Sequence, residues 1–344
     1  HWYRWKRLVR APAWPRPWQS RATWLFVALA ALVPVGLPIA RSLPPQWATP
    51  IAWLAYGWMG LGFLLVVSAF LSDVAHLVAR GLLALRERRR RDGAIDPQRR
   101  LLLARGSAGL AAIGAVGMGG VALRGGLGEV EVVEVPVPLE RLPAALDGMS
   151  IVQLTDVHVG PTIGRRFVEQ IVDKANAQRP DVVVITGDLV DGSVAALGRE
   201  VAALAKLQAR WGVYFCLGNH EYYSGAEAWV DQLERMGIRV LRNARVAVGD
   251  RAASIDLAGV DDFRADRFGH APDIAKALAG RDAERELVLL AHQPAEIDRA
   301  AAHGVGLQIS GHTHGGQLWP FTEAVKLAHP YVAGLHRHGP DTQI

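Results

Sequence analysis

Three long stretches without a charged side chain stand out in the first 128 residues: 22–40, 42–72 and 106–123. An α-helix needs about 20 apolar residues to cross the hydrocarbon of a bilayer. The first two runs reach that length and are apolar on every face, which predicts membrane spans over about 22–40 and 51–72. The third, 106–123, is shorter and rich in Ala and Gly. Small side chains let helices approach closely, so it predicts either a third span packed on the other two or an export-type anchor.

Beyond residue 130 the rhythm changes. Short runs of Val, Ile, Leu and aromatic residues at 150–155, 181–186, 212–217, 286–291 and 306–310 predict buried strands. Between them, 165–178, 195–209, 226–236, 272–279 and 295–303 space their apolar residues as amphipathic helices do. Residues 238–260 predict two or three further strands in a hairpin-like interlude. Residues 129–140 alternate as a leading strand on a sheet edge, where their prolines are tolerated. Strands alternating with helices imply an α/β fold with its sheets covered by helices. The patterns divide the chain into a membrane anchor over 1–128 and a soluble domain over 129–344.

Composition sharpens that division. Half of the residues are hydrophobic, which excludes a disordered chain. A single cysteine, Cys216, excludes a disulfide framework and reads as core. The net charge of +5 joins two opposite parts: 17 Lys and Arg against 4 Asp and Glu in 1–128, and 21 against 29 in 129–344. A net-acidic second part argues against nucleic acid as a partner. The basic residues set orientation instead. Six precede the first run, Arg41 alone separates the first two, and nine fall in 73–105, including Arg88-Arg89-Arg90-Arg91. After Arg124 the next charges are Glu129, Glu131 and Glu134.

Cytoplasmic loops carry the excess of Lys and Arg. The chain is therefore expected to be multi-pass, with its N-terminus inside and everything after residue 124 outside the cytoplasm. Membrane lipids would surround the anchor, with Trp14, Trp18, Trp24, Trp47, Trp53 and Trp58 as interfacial anchors. Arg99-Arg100 faintly resembles a twin-arginine export signal, and a plain basic stop before a helix fits equally. Starting at His1 rather than Met, the sequence is expected to lack its natural beginning.

The candidate chemistry lies at strand ends. The strand-like runs stop at Thr155-Asp156-Val157-His158, Thr186-Gly187-Asp188-Leu189-Val190-Asp191, Leu217-Gly218-Asn219-His220-Glu221, Ala291-His292 and Ser310-Gly311-His312-Thr313-His314. Open α/β sheets bind ligands at the carboxyl ends of their strands. In extended chain, residues two apart project to one side, so Asp156-x-His158 and His312-x-His314 each aim two side chains at one centre. A donor set of this size without thiolate can hold two divalent metal ions, Mn, Fe or Zn, in a hydrolytic site. Asp261 and Asp262 end a strand nearby and fit either a supporting role or a turn. His329, His336 and His338 have no metal-like frame and read as surface.

These five blocks, in this order over roughly 149–320, resemble the calcineurin-like metallophosphoesterase superfamily. Asn219-His220-Glu221-Tyr222-Tyr223-Ser224-Gly225, Gly259-Val260-Asp261-Asp262 and His312-Thr313-His314-Gly315-Gly316-Gln317 resemble its bacterial membrane-anchored branch of the YkuE/YaeI type. The resemblance implies a four-layer α-β-β-α sandwich behind two or three transmembrane helices, in a bacterial inner membrane. It implies that Asp156, His158 and His314 hold one metal, that Asn219, His292 and His312 hold the other, and that Asp188 bridges both. His220 would face the phosphate off the metals, with Asp191 orienting its imidazole. Glu221, Tyr222 and Tyr223 are expected to line the substrate pocket.

The implied activity is hydrolysis of a phosphodiester or phosphoanhydride by metal-activated hydroxide. Its substrate is a phosphate ester, in one version lipid-linked. One alternative is a hydrolase of a UDP-linked acylated glucosamine precursor, which the branch resembles more distantly. Another is a non-catalytic metallophosphoesterase-like membrane scaffold. In the resembled family a Gly-rich strand, an Arg and a closing strand follow the Gly-His-x-His block. Here the chain runs through 330–339 and stops at Ile344, so the sheet is expected to be incompletely closed.

Overall fold

The computed structural model describes residues 1–43, 45–86 and 97–344. The run Arg88-Arg89-Arg90-Arg91 lies outside the described residues. The chain forms two compact units, His1–Glu129 and Val130–Ile344.

The first unit is helical. α1 (Arg16–Ala31) carries Pro17 in its first turn, where a missing N–H costs no helical bond, and runs on through one π-helical turn, Leu32–Gly36, into Leu37–Ser42. α2 (Pro45–Arg86) and α3 (Pro97–Leu127) follow. Within these, Arg16–Ala40, Trp47–Leu82 and Pro97–Leu127 are long and apolar enough to cross a membrane. Leu77, Leu110, Ile113 and Val121 are among their exposed side chains, a surface that suits lipid better than water. Ala108, Ala111 and Ala115 of α3 are buried, as small residues are where helix backbones meet.

The second unit is built on two sheets. β1 (Ile151–Leu154), β2 (Val182–Thr186), β3 (Val213–Cys216) and β4 (Arg239–Val240) form a parallel sheet in that order. α4 (Arg165–Ala177) connects β1 to β2; α5 (Asn219–Ser224) and α6 (Ala226–Arg235) connect β3 to β4. The second sheet is mixed. β5 (Ala244–Gly249), β6 (Ser254–Gly259), β7 (Leu287–Leu290) and β8 (Leu307–Ile309) are followed by β10 (Thr342–Gln343) and then β9 (Arg337–His338) at the edge.

Strand periodicity dictates the layers, because successive side chains point to opposite faces. Val182, Val184, Tyr214 and Cys216 face Ile255, Leu257, Val288 and Leu290 between the sheets. Val183, Ile185 and Phe215 point outward under Val168 and Val172 of α4 and Trp229 and Leu233 of α6. On the other side, Leu287 and Leu289 pack under Ile297 and Ala300 of α7 (Ile297–Ala302). The result is four layers, helix, sheet, sheet and helix.

Four elements differ from the sequence pattern. Residues 129–140 form no strand. Pro136 and Pro138 lack the N–H a ladder needs, while Val137 and Leu139 still pack between the sheets. Lys174 Nζ and the Gln343 amide donate to the carbonyls of Val130 and Pro138 instead. Residues 195–209 form a helical turn, Val194–Leu197, and a 3-10 segment, Ala202–Lys206, rather than one helix. Gly198 ends the first turn, and the break lets Leu197, Val201 and Leu204 all reach the core. Residues 272–279 shorten to Ile274–Ala277, where Asp273 caps the Lys276 N–H at 2.8 Å. After β8 the chain passes through α8 (Phe321–Ala328) and returns to add β10 beside β8, Gln343 opposite Leu307.

Candidate metal centre

The loops that follow β1, β2, β7 and β8 carry Asp156 and His158, Asp188 and Asp191, His292, and His312 and His314 respectively, and Asn219 and His220 open α5 just after β3. Backbone bonds lace the first two loops together. The Asp156 N–H donates to Gly187 O at 3.1 Å, the His158 N–H to Asp188 O at 3.1 Å and the Asp191 N–H to Val159 O at 2.9 Å. Extended-chain alternation does not aim these side chains. Asp156, His158, Asp188, His312 and His314 all take a left-handed backbone, with φ between 49° and 72°. Such a φ costs a non-glycine residue about 1–3 kcal/mol and persists where the surroundings enforce it, which is often at functional sites.

Three groups of donors converge: Asp156, His158 and His314; His158, Asp191 and His220; Asp188, His292 and His312. Asp188 Oδ2 lies 3.1 Å from His292 Nε2 and 3.9 Å from Nε2 of both His158 and His220, so one oxygen faces more than one group. His158 Nε2 is 3.2 Å from His314 Nε2, which is 3.4 Å from Asp156 Oδ1. His312 Nδ1 is 3.2 Å from His292 Nε2. Nitrogens and carboxylate oxygens presented to one another in this way form a donor set for divalent cations. Asn219 fits the same purpose. Its Oδ1 is buried and has no hydrogen-bond donor among the described residues. A bare buried oxygen costs about 1–3 kcal/mol, and a cation satisfies it.

Neighbouring groups fix the ligand atoms. Because a carboxylate only accepts, Asp191 Oδ1 accepts hydrogen bonds from Nδ1–H of both His220, at 2.6 Å, and His158, at 3.0 Å. The two Nε2 atoms are thereby left facing the centre. His292 Nδ1 donates to Thr186 O at 2.8 Å, which turns its Nε2 towards Asp188 Oδ2. The Asp156 carboxylate accepts the His312 N–H at 3.0 and 2.9 Å, joining loops of the two sheets. Gln293, next to His292, donates to both oxygens of buried Asp262 at 3.1 and 2.9 Å, so Asp262 supports that loop. Asp261 instead accepts Arg242 Nε at 3.0 Å.

Burial and charge act against each other here. Burial pushes the Asp188 carboxyl up, but the hydrogen bond and charge of His292 outweigh it and bring it below the usual carboxylate range. Asp191 is likewise raised by burial and held lower still by its two imidazoles. Burial, then the neighbouring His292 charge, lowers His312 to about 4, which keeps it neutral and able to ligate. Burial lowers His158 and His220, but the hydrogen bond and charge of Asp191 together with the charge of Asp188 outweigh it and hold both above their ordinary value.

Of the three residues expected to line the pocket, two are elsewhere. Glu221 is 1% exposed and lies under the loops, and Tyr222 is buried with its ring stacked 5.6 Å from Phe268. Tyr223 is at the rim, 58% exposed, with its ring 5.5 Å from that of His220. Helix α5 places Tyr223 three residues after His220 and so on the same face. His329, which read as surface, has its ring 5.2 Å from that of His312. Both line a cavity of about 230 Å³ with Thr313, Gln317, Phe321 and Val325. No spacing rule ties His329 to the centre; the turn that ends α8 brings it there.

The sequence profile of the calcineurin-like phosphoesterase family matches residues 149–316. A zebrafish (Danio rerio) "transmembrane protein with metallophosphoesterase domain" is 41% identical over 223 residues, 62% of this chain and 51% of that one. A metallophosphoesterase of Aquifex aeolicus is 36% identical over 185 residues, 53% of this chain and 69% of its own. The metallophosphoesterase YkuE of Bacillus subtilis is 28% identical over 243 residues, 66% of this chain and 83% of that one. The chain belongs to the calcineurin-like phosphoesterase family. It spans about half the length of the vertebrate relatives it matches.

Proposed function

We propose that the protein is a membrane-embedded phosphohydrolase whose second unit holds two divalent cations, Mn, Fe or Zn, at the carboxyl ends of its strands. The observation that carries this reading is Asp188 Oδ2, set between His292 and the pair His158 and His220, together with the bare Oδ1 of Asn219. In this reading Asp156, His158 and His314 hold one cation, Asn219, His292 and His312 the other, and Asp188 both. When bound, such ions lower the pKa of water towards neutrality and offset the charge of phosphoryl oxygens.

The side chains supply the remaining chemistry. Asp191 fixes the His220 tautomer, so that Nε2 of this partly exposed side chain can hold the phosphate or give a proton to the leaving oxygen. Asp188 stays anionic through neutral pH because of His292. A phosphodiester or phosphoanhydride suits this arrangement, being anionic and slow to react without charge neutralisation. Within that class, Phe321, Ala324, Val325 and Ala328 lining the cavity beside His312 favour a substrate with an apolar, lipid-like part. The distribution of Lys and Arg supports a catalytic unit outside the cytoplasm of a bacterial inner membrane.

The test is an assay of the purified full chain, metal by metal, on bis-p-nitrophenyl phosphate and a lipid-linked pyrophosphate, with metal content counted. Metal-dependent turnover and about two ions per chain are expected. No turnover on either substrate with any metal would favour a scaffold. Protease treatment of spheroplasts tests orientation, and a protected second unit would refute the outside placement.

A further inference from the structure

We infer that Glu221 is a positioning residue that ties the loop after β2 to the loop after β3, and so sets how tightly the centre grips its cations. The inference rests on the reading of Asp188 and Asn219 as cation ligands. Glu221 is 1% exposed, so it meets neither solvent nor substrate. Its Oε2 accepts the Asp188 N–H at 2.9 Å and the Gly218 N–H at 2.7 Å. Its Oε1 accepts the Leu189 N–H at 2.8 Å and the Val190 N–H at 3.3 Å. A carboxylate offers about four acceptor positions, and here all are used on backbone. Three of the donors are consecutive amides of the turn in which Asp188 holds φ 50°. The fourth belongs to the residue before Asn219.

The joined loops leave no slack. Gly187 takes φ 82°, and a Cβ there would run into Gly218 N, Gly218 Cα and the His292 ring. The His220 N–H adds a bond to Asp188 Oδ1 at 2.9 Å, which leaves Oδ2 for the centre. The distance from Asp188 to Asn219 and His220 is therefore held through one carboxylate on the backbone and one amide on the side chain. Partners of this kind, one step removed from a metal, typically govern affinity by about 10–100-fold.

The experiment is cobalt(II) titration of the metal-free full chain, read by visible absorption, with folding checked by circular dichroism. Glu221→Gln replaces one oxygen by an amide nitrogen that faces two N–H donors. It is expected to weaken cobalt binding about tenfold or more while the protein remains folded. Glu221→Asp keeps the charge but draws it back by one methylene; weaker binding and a shifted cobalt spectrum are expected, and this variant decides the matter if Glu221→Gln does not fold. A folded variant that binds cobalt as tightly as wild type, with the same spectrum, would show that Glu221 is only a structural filler. Wild-type protein that binds no cobalt would overturn the two-cation reading itself.

Discussion

His220 Nδ1 stands 2.6 Å from Asp191 Oδ1. The same oxygen lies 3.0 Å from His158 Nδ1, so one carboxylate orients both a proposed metal ligand and the proposed acid. Asp191→Asn removes the negative charge that the one shared oxygen presents to both imidazoles. Turnover is expected to fall about 10²–10⁴-fold, in line with loss of an oriented general acid. Because Asp191 acts partly through His220 and partly through His158, the double variant Asp191→Asn, His220→Ala should be slower than His220→Ala alone, with a total loss below the sum of the two single losses. Steady-state kinetics of the four proteins measures this, and fully additive losses would separate the roles.

Asn219 separates metal binding from stability. Asn219→Ala removes a buried oxygen without a donor among the described residues, so the metal-free protein should melt at the same temperature or slightly higher. Metal content should drop towards about one ion per chain. Scanning calorimetry of the stripped protein and elemental analysis of the loaded one read the two effects. A large drop in melting temperature without metal would mean that the amide has a structural role.

The pH dependence of the metal-free protein follows from Asp191 and its two imidazoles. The folded-state pKa of Asp191 is depressed, so its stabilisation is present above about 3.9 and is lost as pH falls through the folded value. Those of His158 and His220 are raised, so theirs is present below about 6.5 and is lost as pH rises through the folded values. The contribution is therefore complete between about pH 4 and 6.5 and declines towards alkaline pH. Urea midpoints followed from about pH 6.5 upward through the folded values of the two imidazoles should show that decline, and Asp191→Asn should flatten it.

Gly311 is a steric test of the first ligand group. A Cβ at this position would run into Thr155 Oγ1 and the Asp156 carboxylate, which accepts the His312 N–H. Gly311→Ala should displace Asp156, lowering stability by about 1–3 kcal/mol as overpacking does. Loss of metal from the group Asp156, His158 and His314 should accompany it. Thermal unfolding with metal counting checks both; wild-type metal content would show that the loop relaxes without harm.

Much of this was legible in the residues themselves. The polar blocks after five apolar runs mark real strand ends, and the runs at 165–178 and 226–236 hold as α4 and α6. What pattern alone misses is set by geometry between loops. Asp156 and His312 reach the centre through left-handed turns, a conformation that no residue spacing announces. Glu221 sits beside His220 in sequence but, two positions on in α5 from Asn219, turns under the loops. It is the third residue of that helix and reaches back to the Gly218 N–H, as glutamates often do there. The prolines of 129–140 and Gly198 were visible too, but their effect depends on core side chains that arrive from elsewhere.

The two sheets contribute unequally and separately to the proposed ligand sets. Asp156, His158, Asp188 and Asn219 follow strands of the parallel sheet, while His292, His312 and His314 follow strands of the mixed one. Each proposed cation therefore draws on both. During synthesis, a chain that has emerged only through β4 owns no complete set, and a cation can be retained only once β8 has docked. Metal loading would then act as a checkpoint on assembly, marking molecules whose halves have closed and leaving the others empty and inert.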